Sequence, residues 1–150
     1  MNPIHAGGCL CGATRYSVTG VPIRTQVCHC KFCQRRTGSS FSVVVAFKED
    51  KVQIRGEALT VFEHRSDESQ RWLRYGFCAR CGTNVVLTVE RDPSLRIVFG
   101  GTFDDPNWLK VDRHIWTRSA NHWTTFPLGA ELHEKGYSAA QNDRNHPPKS

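Results

Sequence analysis

No stretch of this 150-residue chain approaches the roughly 20 apolar residues that a helix needs to cross a bilayer. The longest apolar run, residues 41–47, has the length of a strand. The opening residues, Met1-Asn2-Pro3-Ile4-His5, lack a charged segment followed by an apolar one, so no secretory leader is visible and a cytoplasmic location is expected. Amphipathic periodicity sustained over roughly ten residues is missing too. The best short helical candidates are residues 31–36 and the stretch after Asp105-Pro106, each about one turn. These absences exclude a membrane-spanning helix and a helical bundle. There is no internal repeat, and the length suits one domain that can build its core without disulfide staples.

What the chain does have between residues 41 and 117 is a succession of short β-branched and aromatic segments. They fall at residues 41–47, 52–54, 59–62, 85–89, 95–99 and 114–116. Turn signals separate them: Lys48-Glu49-Asp50, Arg55-Gly56-Glu57, Arg91-Asp92-Pro93-Ser94 and Gly100-Gly101. This pattern predicts a mainly β fold, sandwich-like or barrel-like, with little helix. Residues 1–136 are expected to form the single domain. Residues 137–150 turn polar, ending His146-Pro147-Pro148-Lys149-Ser150, and are expected to be a flexible tail.

Seven cysteines are present, and none stands alone: Cys9-Leu10-Cys11, Cys28-His29-Cys30-Lys31-Phe32-Cys33 and Cys78-Ala79-Arg80-Cys81. An odd count cannot pair completely, and a reducing compartment does not keep such pairs oxidised. The spacing points to thiolate metal ligation. This changes how the charge is read. The formal net charge is +6 with cysteine counted neutral. Seven thiolates subtract seven charges and two zinc ions return four, which leaves about +3. The basic residues are scattered, with small clusters at Arg35-Arg36 and residues 71–74, so a solvated surface is favoured over a nucleic-acid interface.

Sulfurs in a tetrahedral zinc cage lie roughly 3.7 Å apart. A Cys-x-Cys pair must bend to achieve this, and Gly7-Gly8 and Gly12 flank the first pair as Gly82 closes the Cys78/Cys81 knuckle. These two are matching halves of a closed four-thiolate site. Cys28, Cys30 and Cys33 lie close enough to hold one ion themselves with a fourth position open, the mark of a catalytic zinc. His29 lies between two ligands with its ring expected to point away; a distant histidine such as His114 is the other group that could close the site. Spacing alone also leaves open a division in which Cys28 or Cys30 completes the four-thiolate site.

These residues resemble the glutathione-dependent formaldehyde-activating enzyme family, whose domain also occurs in centromere protein V. The similarity runs through Gly8-Cys9-Leu10-Cys11-Gly12 with Arg15-Tyr16, then Cys28 to Cys33 with Gln34-Arg35-Arg36-Thr37-Gly38-Ser39. It continues with Phe77-Cys78-Ala79-Arg80-Cys81-Gly82-Thr83 and ends at His114-Ile115-Trp116, Ser119 and Trp123, covering roughly residues 5–128. The resemblance implies a β-tent fold of small coiled sheets clipped by a structural zinc on Cys9, Cys11, Cys78 and Cys81. It implies a second, exposed zinc on Cys28, Cys30 and Cys33. The implied activity is condensation of formaldehyde with glutathione to S-hydroxymethylglutathione, a carbon–sulfur lyase in reverse.

Three thiolates give the second zinc centre a net charge of −1, and a substrate thiolate would make it −2, so nearby cations matter. Lys31, Arg35 and Arg36 are adjacent in sequence; Arg35 or Arg36 is a candidate for neutralising this charge or holding a glutathione carboxylate. His114 is the acid–base candidate, set against the reading of a core histidine. Trp116, Trp123 and Phe126 are expected as core or pocket wall. Thr37, Gly38 and Ser39 either present backbone N–H groups to an anion or form the turn into the strand at Phe41. The expected partner is a small thiol or aldehyde, with no membrane and no nucleic acid. The alternative to an enzyme is a zinc-containing thiol-adduct carrier or interaction module.

Overall fold

The computed structural model describes residues 1–136, and the segment expected to be a tail lies outside the described residues. The chain runs β1 (Ile4–Gly8), β2 (Thr14–Thr19), β3 (Arg24–Cys28), α1 (Lys31–Thr37), β4 (Ser42–Lys48) and β5 (Val52–Gly56). It continues with β6 (Thr60–Arg65), β7 (Trp72–Phe77), β8 (Asn84–Val89), β9 (Asp92–Phe99), β10 (Arg113–Ile115) and β11 (Glu131–Leu132). Three single turns of 3₁₀ helix lie at Glu49–Lys51, Gly100–Thr102 and Thr117–Ser119. The architecture is mainly β with little helix. After Asp105-Pro106 the candidate helix is one hydrogen-bonded turn, closed by the Leu109 N–H on the Pro106 carbonyl.

Two open sheets result among the described residues: a three-stranded sheet in the order β1-β2-β5, and an eight-stranded sheet in the order β11-β10-β3-β4-β9-β8-β7-β6. Strand β4 shows why the larger sheet is covered on both faces. Its side chains alternate: Val45 and Phe47 enter one core with Tyr16 and Val18 of β2, and Val44 enters another with Leu87 and Phe99. Polar alternation would have left one face wet, and here β-branched residues fill both. The two sheets meet over the first core. Gly7 is needed there, because a Cβ would lie 2.4 Å from the Thr102 carbonyl oxygen and 2.5 Å from the Tyr16 ring. The Tyr16 hydroxyl shares a 2.8 Å hydrogen bond with Thr102 Oγ1, and burial keeps its phenol well above the usual range, hence neutral. Arg15 reaches across to Asp104 with a 2.9 Å hydrogen bond.

One pairing matters most for function. Strand β10 lies parallel to β3, with His114 opposite Val27 and Ile115 opposite Cys28. Its other long-range neighbour, β11, is also parallel, whereas β3, β4, β9, β8, β7 and β6 pair antiparallel in succession. The parallel insertion carries residues 113–119 against the segment that holds the middle cysteine cluster. None of the helices among the described residues is long and apolar enough to cross a membrane.

Candidate metal centre

The outer cysteine clusters meet where the turn after β1 approaches the turn after β7. The Gly12 N–H bonds the Cys9 carbonyl at 3.0 Å and the Gly82 N–H bonds the Cys78 carbonyl at 2.8 Å, so each pair sits on a tight knuckle. Both glycines are left-handed, with φ of 79° and 75°, a conformation costly for any residue with a Cβ. The sulfurs of Cys9 and Cys11 are 3.6 Å apart, those of Cys11 and Cys78 are 3.7 Å apart, and all four, Cys81 included, lie within 4.8 Å of one another. These separations match a tetrahedral thiolate cage. Thr83 braces it: its hydroxyl accepts from the Leu10 N–H at 3.1 Å and lies 3.2 Å from the Cys81 sulfur. That hydroxyl brings the Cys81 thiol down to about 5, toward the thiolate a metal requires.

The middle cluster is built by the end of β3 and the start of α1. Cys30 is the helix N-cap, with φ −64° and ψ 156°, and its sulfur accepts the Cys33 N–H at 3.4 Å. Capping curls the chain so that the sulfurs of Cys28, Cys30 and Cys33 come within 4.8 Å of one another, Cys28 to Cys30 being 3.4 Å. Among the described residues no fourth histidine, cysteine or carboxylate joins this group. The three residues are 6%, 8% and 3% exposed, more enclosed than the resemblance implies, and Ile115, Phe32 and Trp116 pack against them. Hydrogen bonds from Cys28 and Cys30 hold Cys33 well below the ordinary thiol range against the effect of burial, and the Arg36 guanidinium adds to this.

Arg36 lies behind the sulfurs, half-buried, its guanidinium 4.1 Å from the centroid of the Phe99 ring and 2.8 Å from Ser42 Oγ. Arg35 is exposed and makes no hydrogen bond or ion pair among the described residues, and Lys31 reaches only Gln34 Oε1 at 3.2 Å. Gly38 is the left-handed C-cap of α1, and its N–H bonds the Gln34 carbonyl at 2.9 Å. The Ser39 N–H bonds Thr37 Oγ1 at 3.1 Å. This segment is therefore the turn into β4, with those two donors already satisfied.

His29 and His114 form a pair that sequence reading treated separately. Their Nε2 and Nδ1 atoms are 2.9 Å apart, although 85 residues separate them. His29 is 0% exposed; Phe41 and Phe126 surround it, and Phe126 stands edge-on to both imidazoles. Burial, followed by the charge of His114, lowers His29 to about 4; burial alone lowers His114. Among the described residues, neither ring belongs to a metal-ligand group. Phe126 and Trp116 are walls, as expected. Trp123 is not core: it is 63% exposed, because its indole N–H is anchored at the surface on Ser40 Oγ at 3.1 Å.

Two further residues tie the segments around the site together, and of these Glu68 carried no sequence signal. Gln34 Nε2 donates to the His29 carbonyl at 2.7 Å and to the Ser119 carbonyl at 2.9 Å, tying α1 to the turn after β10. Glu68, in the loop between β6 and β7, accepts a 3.3 Å hydrogen bond from Ser119 Oγ, and partial burial, followed by the Cys30 sulfur, raises its carboxyl above the ordinary range.

Comparison with known families matches residues 4–119 to the family described as glutathione-dependent formaldehyde-activating enzyme. The chain belongs to this family. Both cysteine groups of the family segment described above fall inside the matched span, and each has a donor set suited to zinc. A crystal structure of a Rhodobacter sphaeroides protein superposes with a TM-score of 0.52 at 20% identity, over 66% of this chain and 87% of that one. At that identity the likeness concerns the fold.

Proposed function

We propose that the protein catalyses reversible addition of a thiol to an aldehyde beside Cys28, Cys30 and Cys33: glutathione and formaldehyde give S-hydroxymethylglutathione, and the reverse direction is a carbon–sulfur lyase. The observation that carries this reading is the three-sulfur group, which has no fourth ligand among the described residues while the other four cysteines form a complete cage. The family match supports it. A zinc ion held by the three sulfurs would supply an open position at which a substrate thiol is acidified or an aldehyde oxygen polarised. The cage on Cys9, Cys11, Cys78 and Cys81 would hold a second, structural ion.

The bond changes balance without a co-reactant. The thiol sulfur attacks the carbonyl carbon, the C–S bond forms, and the carbonyl π pair moves to oxygen. That oxygen takes up the proton the thiol gave away. Arg36, beside Cys33, offsets the negative charge that accumulates on the sulfurs. Arg35, exposed one residue away, is available to a substrate carboxylate. His114 is the candidate to carry the proton, since burial favours its neutral form and a neutral imidazole can accept.

A second reading, a thiol-adduct carrier without turnover, is favoured by the His29–His114 hydrogen bond, which occupies one nitrogen of each imidazole. One experiment separates the two. Cys33→Ser, with the cage metal retained, is expected to lose on the order of 10²-fold in the exchange rate between glutathione-bound and free formaldehyde, measured by NMR. A variant that exchanges at the wild-type rate defeats the enzyme reading. A wild type that binds glutathione without accelerating exchange establishes the carrier.

A further inference from the structure

We propose that Glu68 and Arg118 together recognise the α-amino acid head of the thiol, the free ammonium and carboxylate of a γ-glutamyl group. The proposal rests on the reading that a thiol binds beside Cys28, Cys30 and Cys33.

The two residues come from different segments that meet at Ser119: Glu68 lies in the loop between β6 and β7 and accepts a 3.3 Å hydrogen bond from Ser119 Oγ, and Arg118 precedes Ser119 on the turn after β10. Glu68 belongs to a loop held rigid by its own hydrogen bonds: Ser66 N–H to the Arg71 carbonyl at 2.9 Å, and Gln70 N–H to the Ser66 carbonyl at 2.8 Å. Gln70 adopts a left-handed φ of 58° within it, and its side chain donates to the Asp67 carbonyl at 2.9 Å. Arg118 sits on the 3₁₀ turn after β10, its guanidinium 5.3 Å from the centroid of the Trp116 ring. Trp116 in turn packs on the cysteine group.

The backbone supports this placement. Trp116 has φ 56°, an outlying value for a bulky residue, and a 3.1 Å bond from its N–H to the Lys135 carbonyl holds it there. Such strain clusters where a chain must aim particular groups. Here it directs the chain into the turn that presents Arg118 and Ser119. Ser119 Oγ then fixes one oxygen of Glu68 at 3.3 Å, while Gln34 fixes the Ser119 carbonyl.

The charges select the ligand. Glu68 and Arg118 are both exposed and close enough for Glu68 to feel the guanidinium, yet no ion pair joins them among the described residues. Asp67 also faces Glu68 and adds negative charge on that side. A carboxylate and a guanidinium standing side by side match an ammonium and a carboxylate carried on one carbon. They do not match the glycine end of glutathione, which offers a carboxylate alone and would leave Glu68 opposed. The cysteine sulfur of the tripeptide would lie toward Cys30 and the γ-glutamyl head outward.

The test compares glutathione with N-acetylcysteinylglycine, which keeps the thiol and the glycine carboxylate and lacks the γ-glutamyl head. Affinities are measured by calorimetry on protein carrying its metal. Wild type is expected to prefer glutathione by roughly tenfold to a hundredfold, the range for charge-assisted hydrogen bonds. Glu68→Gln and Arg118→Met should each remove most of that preference while leaving the affinity for N-acetylcysteinylglycine unchanged, which also shows that the variants are folded. Equal wild-type affinity for the two thiols, or a preference that survives both substitutions, overturns the proposal while the thiol site stands. Binding of neither thiol to wild type overturns both.

Discussion

At the scale of single residues, the His29–His114 pair shows how a hydrogen bond between distant segments sets chemistry. A solvated histidine titrates near 6.5, whereas His29 is lowered to about 4. Between those values the unfolded chain binds more protons than the folded one, so stability is intact above about 6.5 and falls as the pH drops toward 4. Urea midpoints measured across that interval should decline for wild type and decline less for His29→Gln. Cysteine protonation and metal release act in both proteins, so the difference isolates the imidazole; identical slopes would refute the assignment. The cysteines themselves were legible from spacing alone, because each cluster is local. The histidine pairing was not, because β10 has to reach β3 before the two rings meet.

At the scale of elements, α1 is too short to be stable by itself and depends on what it is tied to. Gln34 is the tie, with hydrogen bonds to two carbonyls on separate segments. Gln34→Leu leaves both acceptors without that partner and should cost about 1–3 kcal/mol. It should also loosen the 117–119 turn, seen as faster amide exchange there; unchanged exchange would show that Trp116 and β10 suffice. The strands were unevenly readable. Residues 41–47, 85–89 and 95–99 announce themselves because both faces are covered and β-branched residues fill them. Strand β1, with the sequence Ile4-His5-Ala6-Gly7-Gly8, hides behind glycine needed for close packing, and β7 hides behind Arg74, whose guanidinium pairs with Glu63 at the surface. Residues 31–36 read as about one helical turn, and the observed α1 is longer, 7 residues from Lys31 to Thr37, because the Cys30 cap and the Gly38 C-cap close both its ends.

At the scale of the molecule, the four-cysteine cage joins the three-stranded sheet to the eight-stranded one, at the turns that follow β1 and β7. Graded chelation should therefore proceed in two steps. In protein loaded with metal at both cysteine groups, metal should leave the three-sulfur group first, with little change in melting temperature. It leaves the cage second, with loss of amide protection throughout β1 and β2, since holding the metal and holding the fold are one free energy there. Simultaneous loss with a single transition would show that the two sites are not independent. The mainly β class was legible from the rhythm of short apolar segments, whereas the parallel insertion of β10 was not, because no local pattern distinguishes it from an antiparallel neighbour. That insertion has a consequence for biosynthesis. A ribosome releases Cys28, Cys30 and Cys33 early, the cage is complete once Cys81 has emerged, and the wall formed by Ile115 and Trp116 follows later still. Throughout that delay the nascent chain carries three thiols that lack the Ile115 and Trp116 part of their enclosure, so whatever metal or oxidant first meets the growing polypeptide has its opportunity before that strand exists.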